Sequence, residues 1–243
     1  DLTYVYEHLG EGTDTLAAIS AGRHRFAKVL KAAERPMLIL GSGALTRPDG
    51  ARILATARRI ADDCGLVVDG WNGFNVLHRA AARVGGLDLG LVPGAGGRDV
   101  AAIVEGAAKG DVEVLYLLGA DEIDMSGLGG AFVIYQGHHG DAGAHRADVI
   151  LTGAAYTEKN ATYVNTEGRA QMGRLAVQPP GEAREDWTII RALSAVLGKT
   201  LAYDTLNQVR DRMIEVNANF ANPDAVEPAP WGAFGEDGEL DPA

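Results

Sequence analysis

Between residues 37 and 151, short uninterrupted apolar runs alternate with segments whose apolar residues recur at helical spacing. A strand that is apolar along its whole length is typical of a parallel sheet buried on both faces, with amphipathic helices as the covering layers. We therefore expect an α/β fold with a doubly wound, mainly parallel sheet and helices on both faces. The expected strands are 37–40, 66–69, 112–118, 132–135 and 148–151.

Three amphipathic segments are predicted to be helices between these strands. The first has Pro48 near its start and Gly65 at its end, which are favoured positions for these residues. Its apolar stripe includes Cys64, which we expect to be a buried thiol. The second runs through residues 76, 77, 80 and 84, and the third, over 98–110, has apolar residues at 100, 103, 104 and 107.

Both ends of the chain depart from this alternation. Residues 1–34 predict an entering loop and a helix, with a break near Gly22, and the start at Asp1 rather than Met suggests the continuation of a longer subunit. Residues 35–200 form the expected α/β domain, which includes a helix over 184–197. A helical segment follows over 201–216.

An acidic segment, residues 217–243, ends the chain. It has six acidic residues and the isolated aromatic residues Trp231 and Phe234, and it has no Lys or Arg. Alone it could not bury enough apolar surface to offset the entropy lost on ordering. Two alternatives remain open: a disordered tail, or an extended arm whose aromatic residues anchor on a partner or on the body of the domain.

The overall charge and composition exclude several classes of function. The formal net charge is −11 and no Lys/Arg cluster is present, so we expect no nucleic-acid partner. No stretch reaches the roughly 20 consecutive apolar residues of a membrane helix, so we expect no direct membrane insertion. Cys64 is the single cysteine of the sequence, which excludes an internal disulfide, a CxxC redox pair and an iron–sulfur cluster held by several cysteines of this chain.

The first constellation that could carry chemistry is Gly41-Ser42-Gly43, directly after an expected strand. It imitates the turn of a dinucleotide-binding fold, but it lacks the third glycine and an acidic residue at the distance expected for a ribose partner. A tight strand-to-helix turn is the alternative interpretation.

The second constellation is the pair Asp121 and Glu122 at the end of another expected strand, with Asp69 at a neighbouring strand end. Paired carboxylates can serve as general acid and base or bind a divalent cation. Solvated loop-tip acids are the alternative.

The third constellation is a group of three histidines and one carboxylate within eight residues, His138, His139, Asp141 and His145. Zinc accepts imidazole and carboxylate ligands, and imidazoles also transfer protons. However, adjacent histidines cannot easily share one metal ion, and Asp141 is well placed as a helix N-cap after Gly140. A metal site at these four candidates, a proton-transfer site and a structural loop therefore remain as alternatives.

The fourth constellation is the polar loop 158–169, which begins with Glu158 and Lys159 and ends in Asn-Thr-Glu-Gly-Arg. An active site would need a nucleophile with an adjacent base, and the loop shows no such activator for its threonines or its lysine. We expect a loop that is held by its own polar network.

Residues 132–171 combine Ala-Asp-Val-Ile-Leu, Glu-Lys and Asn-Thr-Glu-Gly-Arg-Ala-Gln in a fixed order. This segment closely resembles the C-terminal region of the large iron–sulfur subunit of respiratory complex I. It is similar in more distant form to the molybdopterin-dependent oxidoreductases. The resemblance covers roughly residues 23–213.

The resemblance implies a role in NADH:quinone oxidoreductase, which passes electrons from NADH to quinone and translocates protons. In that family the full subunit carries 2Fe–2S and 4Fe–4S clusters on segments that have no counterpart in this sequence. The resemblance therefore implies a non-catalytic scaffold without catalytic, cofactor-binding or metal residues of its own. The implied partners are other peripheral-arm subunits, on the cytoplasmic side of a bacterial inner membrane or the mitochondrial matrix side.

The sequence also departs from the molybdopterin enzymes at a position that matters for their cofactor. Where those relatives tend to place Asn-Pro, this chain has Asp121 and Glu122, whose charges would repel a pterin pyrophosphate. Two alternatives to the scaffold remain: a cofactor-binding oxidoreductase domain of the molybdopterin type, and a free-standing binding module.

Overall fold

The computed structural model describes residues 3–226 and 230–242, which form two compact units. The first unit comprises the described residues through Ala81 together with residues 230–242, and the second runs from Ala82 to Val226. The limits of these units differ from the segment boundaries that the sequence suggested at residues 34, 200 and 216. No helix among the described residues is both long enough and apolar enough to span a membrane.

The first unit consists of helices around a parallel strand pair and a small hairpin. Its N-terminal helical region is interrupted at Gly22, which has a positive φ of 70°, as the sequence predicted. The elements are α1 Gly12–Ser20, α2 Phe26–Ala32, β1 Leu38–Gly41, α3 Ser42–Leu45, α4 Gly50–Cys64, β2 Val67–Val68, β3 Trp71–Asn72 and β4 Phe74–Leu77.

Helix α4 forms the centre of this unit, and its predicted end is confirmed. It buries Ile53, Ala57 and Ile60 along one stripe and stops at Gly65, whose φ of 65° is the left-handed conformation that glycine adopts without strain. Cys64, expected to be buried, is only half-buried, and partial burial still raises the pKa of its thiol.

The helix predicted through residues 76, 77, 80 and 84 is wrong in its first part. Residues Phe74–Leu77 form strand β4, which pairs in parallel with β1 in the register Leu38 to Phe74. Helix α5 begins only at Arg83. The apolar residues 76, 77 and 80 fit a short strand as well as a helix. Pairing with β1 decides in favour of the strand.

The second unit contains a three-stranded parallel sheet in the order β5-β6-β7 and an antiparallel hairpin, β8-β9. The connecting turns include 3₁₀ segments at Met125–Leu128 and Ala218–Ala221. The elements are α5 Arg83–Asp88, α6 Val100–Lys109, β5 Val114–Leu118, β6 Phe132–Gly137, α7 Ala142–Arg146, β7 Val149–Thr152, β8 Ala161–Val164, β9 Ala170–Gly173, α8 Asp186–Val196 and α9 Leu206–Val216.

Helix α6 covers one face of the three-stranded sheet. Its N-cap Asp99 accepts a hydrogen bond from the Ala102 amide at 2.8 Å, and it ends at Gly110 with a φ of 82°. Its residue Ala107 packs in a buried cluster with alternate strand residues, which are Leu115, Leu117, Val133 and Tyr135.

The opposite face of the same strands is more open. Val114 is 58% exposed and Phe132 is 46% exposed, both on the side away from the buried cluster. The α/β class with parallel strands is confirmed. In the described residues, however, the parallel strands lie in separate short sheets, β1-β4 and β5-β6-β7, rather than in one continuous sheet.

The C-terminal segment 230–242 packs along α4. Of the two alternatives for the tail, the structure therefore shows the extended arm, anchored on the body of the chain itself. Its acids pair with the arginines of α4: Asp241 lies 3.1 Å from Arg52, and Asp237 lies 2.7 Å from Arg59. The rings of Trp231 and Phe234 pack against Phe74, edge-on and tilted respectively, at centroid distances of 5.2 and 5.7 Å. Residues 227–229 and 243 of the predicted tail lie outside the described residues.

Two further contacts fix this segment at its ends. The buried carboxylate of Asp49 accepts from the Asp241 amide at 3.0 Å and from the guanidinium of Arg47 at 2.8 Å. Because the side chain of Arg47 supplies a charged donor, the pKa of Asp49 is held below its ordinary value. At the other end, Trp231 donates its indole N–H to Asp62 at 2.7 Å.

We predict that Gly235→Ala releases this segment from α4. Gly235 has a φ of 80°, and a Cβ there would lie 2.6 Å from the Ala51 carbonyl oxygen and the Ala55 amide nitrogen. The matched control is Gly232→Ala, because a Cβ at Gly232 meets no atom within 4 Å.

The expected cost of Gly235→Ala is about 1–3 kcal/mol of unfolding free energy, against about 0.5 kcal/mol or less for the control. Amide hydrogen exchange over 230–242 should rise in the first variant alone. Equal protection of the segment in both variants would show that it is not held on α4 in this way.

Candidate functional site

A cleft of about 590 Å³ opens at the carboxyl ends of β6 and β7. Parallel strands of α/β proteins characteristically end in such a crevice, and ligands of this fold class bind there. The polar side chains that line the cleft are His138, His139, Thr152, Glu158 and Glu182. It is therefore the candidate site that the sequence motifs should be compared with.

The structure places only part of the predicted histidine group at this cleft. His138 and His139 line it, both exposed, with ring centroids 4.3 Å apart and an interplanar angle of 59°. His145 lies in α7 and is not among the lining residues. Within 3–226 and 230–242, no three His, Cys, Asp or Glu side chains are grouped to hold a metal ion, so the zinc alternative gains no support.

The carboxyl group of Asp141 contacts another carboxyl group instead of capping a helix. Asp141 occupies the N-cap position of α7, but its side chain accepts no hydrogen bond from the helix. A hydrogen bond to Asp141 raises the pKa of Asp121, and partial burial and the charges of Asp141 and Glu122 raise it further. Asp121 and Asp141 therefore form an acidic pair, in which Asp121 holds its proton more tightly than an ordinary aspartate does.

The sequence singled out Asp121 and Asp141 in different motifs and did not connect them. The connection comes from strand pairing, because Leu118 lies opposite Gln136 in the parallel register of β5 and β6. Residues a few positions beyond each strand thus meet at the same edge. Asp69, the third acid of that motif, lies in the first unit, between β2 and β3.

A buried polar network lies behind the cleft, and sequence reasoning missed its central residue. Gln136 is fully buried in β6. Its amide nitrogen donates to the Asp186 carboxylate at 2.9 Å, and its amide oxygen accepts from the Tyr116 hydroxyl. Asp186 also forms an ion pair with Lys159. The only available signal was a glutamine within the otherwise apolar run of β6.

This network gives both Lys159 and Tyr116 a partner within the fold. The ammonium of Lys159 is neutralised by Asp186. Burial raises the pKa of the Tyr116 phenol, and the negative charge of Asp186 raises it further. The raised pKa favours the neutral phenol, which is the form that donates to Gln136.

The polar side chains of loop 158–169 hold the backbone around them. Glu158 accepts from the Ala155 amide at 2.9 Å, and Asn160 accepts from the Leu175 amide at 3.2 Å. Asn165 accepts from the amides of Glu167 and Arg169, both at 3.0 Å. The predicted internal network is thus present.

The loop interpretation needs one correction. Residues Ala161–Val164 and Ala170–Gly173 form the antiparallel strands β8 and β9, with Val164 opposite Ala170. Asn165 and Gly168, which has a φ of 84°, build the turn between the strands. The many polar residues of segment 158–169 led to the prediction of a loop. The extended conformation becomes evident only from the pairing of β8 with β9.

The glycine-rich turn Gly41-Ser42-Gly43 leads from β1 directly into the short helix α3. A Cβ at either Gly41 or Gly43 would meet no atom within 4 Å, so neither glycine is required by a close approach within the described structure. The geometry agrees with a strand-to-helix turn, and the dinucleotide interpretation gains no support from it.

Comparison with known proteins places the chain in a family. The model of the molybdopterin oxidoreductase family matches residues 1–196, which is most of the sequence. The chain belongs to the molybdopterin oxidoreductase family.

Individual relatives within this family carry more specific names. The NADH-ubiquinone oxidoreductase 75 kDa subunit of Reclinomonas americana is 45% identical over 227 residues, covering 93% of this chain and 32% of that protein. The mitochondrial iron–sulfur protein 1 of NADH dehydrogenase (ubiquinone) from Solanum tuberosum is 44% identical, covering 94% and 30%. A subunit of the NADH-quinone oxidoreductase of Rickettsia bellii is 41% identical, covering 90% and 31%. The chain spans about a third of the length of these relatives.

The side chains of the cleft do not fit the anionic pterin cofactor that the family name implies. The acidic residues Glu158 and Glu182 line it, and no Lys or Arg is among its described lining residues. Asp141, directly after Gly140 of the lining, adds a further carboxylate at the acidic pair. Negative charges at this edge repel a pyrophosphate group, and no Lys or Arg of the described lining offsets the repulsion.

We predict that Asp141→Asn lowers the pKa of Asp121. Because the folded chain holds the proton of Asp121 more tightly than the unfolded chain does, this contribution to stability is fully present below the ordinary pKa of aspartate. It is lost as the pH rises through the raised pKa. The unfolding free energy of the unsubstituted chain should therefore fall by a larger amount between about pH 4 and about pH 7 than that of Asp141→Asn.

Carboxyl ¹³C NMR of Asp121 and urea unfolding at both pH values measure these two effects. Asp111→Asn is the control, since Asp111 is an exposed acid at the amino end of β5. An unchanged pKa of Asp121 in Asp141→Asn would contradict the pairing.

Proposed function

We propose that the chain is the C-terminal portion of the large iron–sulfur subunit of NADH:quinone oxidoreductase, respiratory complex I. The observation that carries this proposal is the identity of 41–45% with the named complex I subunits over 90% or more of the chain. The assembly transfers electrons from NADH to quinone and translocates protons. Its other peripheral-arm subunits are the partners of this portion.

Within that assembly the chain serves as a non-catalytic scaffold. Cys64 is the single cysteine in 243 residues, whereas an iron–sulfur cluster is held mostly by several cysteine thiolates. The 2Fe–2S and 4Fe–4S clusters of the subunit are therefore bound by segments outside this sequence. The charge of the cleft supports the same conclusion for a pterin, because its acidic lining opposes an anionic cofactor.

The scaffold is peripheral to the membrane, on the cytoplasmic side of a bacterial inner membrane or the matrix side of a mitochondrial one. One matched relative is named as mitochondrial, which supports the mitochondrial alternative. No helix in the described parts of the chain could span a membrane.

Affinity purification of the tagged chain from the cells that encode it tests the proposal. Solubilised membranes should yield a large assembly that contains the chain and oxidises NADH with a quinone as acceptor. The control is the same purification with the tag on an unrelated peripheral membrane protein, which should yield no such activity.

A chain that is recovered alone would favour a free-standing binding module instead. A chain recovered outside the assembly with one pterin per molecule, measured by the fluorescence of the oxidised pterin, would favour a molybdopterin-type enzyme. Either result contradicts the scaffold proposal.

A further inference from the structure

A second, smaller pocket lies in the second unit between the β8–β9 hairpin, helix α9 and the 3₁₀ turn that follows it. Its volume is about 180 Å³. Most of its lining is apolar, contributed by Met172, Met213, Ile214, Phe220 and Pro223. Among the described residues, the one charged side chain that lines it is Arg210. The pocket lies next to the buried cluster of Val164, Ala170 and Phe220, so its floor belongs to the folded core.

The guanidinium of Arg210 has donors that the described part of the chain does not satisfy. Its Nε and Nη2 atoms are buried, and neither has a hydrogen-bond partner among the residues that the structure describes. The neighbouring Arg212, by contrast, is exposed and pairs with Glu215 at 2.8 Å. Buried donors of a charged group are costly when they lack an acceptor, and the acceptor that satisfies a guanidinium best is a carboxylate.

Arg210 lies on the face of α9 that lines the pocket. Residues 210, 213 and 214 are three and four apart, so they share one face of α9. Met213 is half-buried there, and Ile214 is 38% exposed at the mouth of the pocket. An apolar side chain entering from outside would thus contact Met213, Ile214 and Phe220 while its neighbour reached the guanidinium.

We propose that this pocket binds a segment of a different polypeptide that inserts one apolar side chain and presents a carboxylate to Arg210. The volume favours a side chain over a cofactor, since sites for small molecules usually measure about 300–1,000 Å³. Methionine side chains adapt to the shape of an inserted group. The net charge of −11 favours a partner over a second copy, because two such chains repel one another.

The binding chemistry of this pocket does not depend on the electron-transfer assembly proposed above. The purification experiment can succeed while the peptide experiment below fails, and the reverse, so the two proposals are tested separately.

The four methionines of the chain provide the measurement. Met172 and Met213 line the pocket, whereas Met37 and Met125 lie outside it and serve as internal controls. In the 243-residue chain labelled with ¹³C at the methionine methyl groups, two acetylated and amidated tetrapeptides are titrated to about 10 mM. One is Asp-Leu-Leu-Asp and the other is Asn-Leu-Leu-Asn, which has the same apolar residues without the charges.

With the acidic peptide, the signals of Met172 and Met213 should shift while those of Met37 and Met125 stay in place. The acidic peptide should bind about tenfold more tightly than the neutral one, since a hydrogen bond to a charged group is stronger than one between neutral groups. In Arg210→Met this preference should fall to about twofold or less. Arg212→Met, on the same helix, is the matched control and should retain the preference.

Equal binding of the two peptides, or no shift of Met172 and Met213 at the highest concentration, would overturn the proposal. Shifts of these two signals that depend on the concentration of the chain alone would show that a second copy occupies the pocket, which also overturns it. If Arg210→Met changes the signals of Met37 and Met125 and is therefore misfolded, the comparison of the two peptides on the unchanged chain still decides.

Discussion

The buried hydrogen bond between Gln136 and Asp186 is the interaction on which the second unit depends most. Gln136 belongs to the central strand β6, and Asp186 is the first residue of α8. The same carboxylate holds Lys159, just before the β8–β9 hairpin. One side chain therefore connects the sheet, a helix and the hairpin. Its loss would leave a buried amide and an ammonium without their partner, and each unsatisfied group costs about 1–3 kcal/mol.

Several polar groups of the second unit serve its fold, which agrees with the scaffold role proposed for the chain. Glu158, Lys159 and Asn160, which stand together in the sequence like an active-site motif, each bond to a backbone group or a structural carboxylate. Beside the cleft, a hydrogen bond to Asp141 raises the pKa of Asp121. The cleft lies where ligands of α/β proteins bind, and Glu158, which lines it, holds the backbone of its own loop.

The elements that the sequence predicts best are those with a local signal at their ends. Helix α4 ends at Gly65 and α6 ends at Gly110, because glycine alone adopts their positive φ without strain. The N-terminal break at Gly22 has the same cause. For α9, Thr205 and Gln208 form a complete capping box, which local sequence specifies.

Several features that escaped prediction depend on contacts between residues distant in sequence. Strand β4 is a strand because β1 lies beside it, and the acidic pair forms because β5 and β6 have a particular register. The position of the tail follows from Arg52 and Arg59 of α4, roughly 180 residues earlier than their acidic partners. The histidine motif shows the converse, since closeness in sequence did not bring His145 to the cleft.

The central claim, that the strand-end polar groups support the fold and take no part in chemistry, is tested most directly by turnover. Alanine is substituted singly for His139, Asp121 and Glu158, and NADH:quinone turnover is measured per correctly assembled complex. The account predicts turnover within about twofold of the unsubstituted complex, because the loss of a working general acid or base typically costs about 10²–10⁴-fold in rate. A loss of about a hundredfold in any one variant, with subunit content and cluster signals intact, would contradict the account.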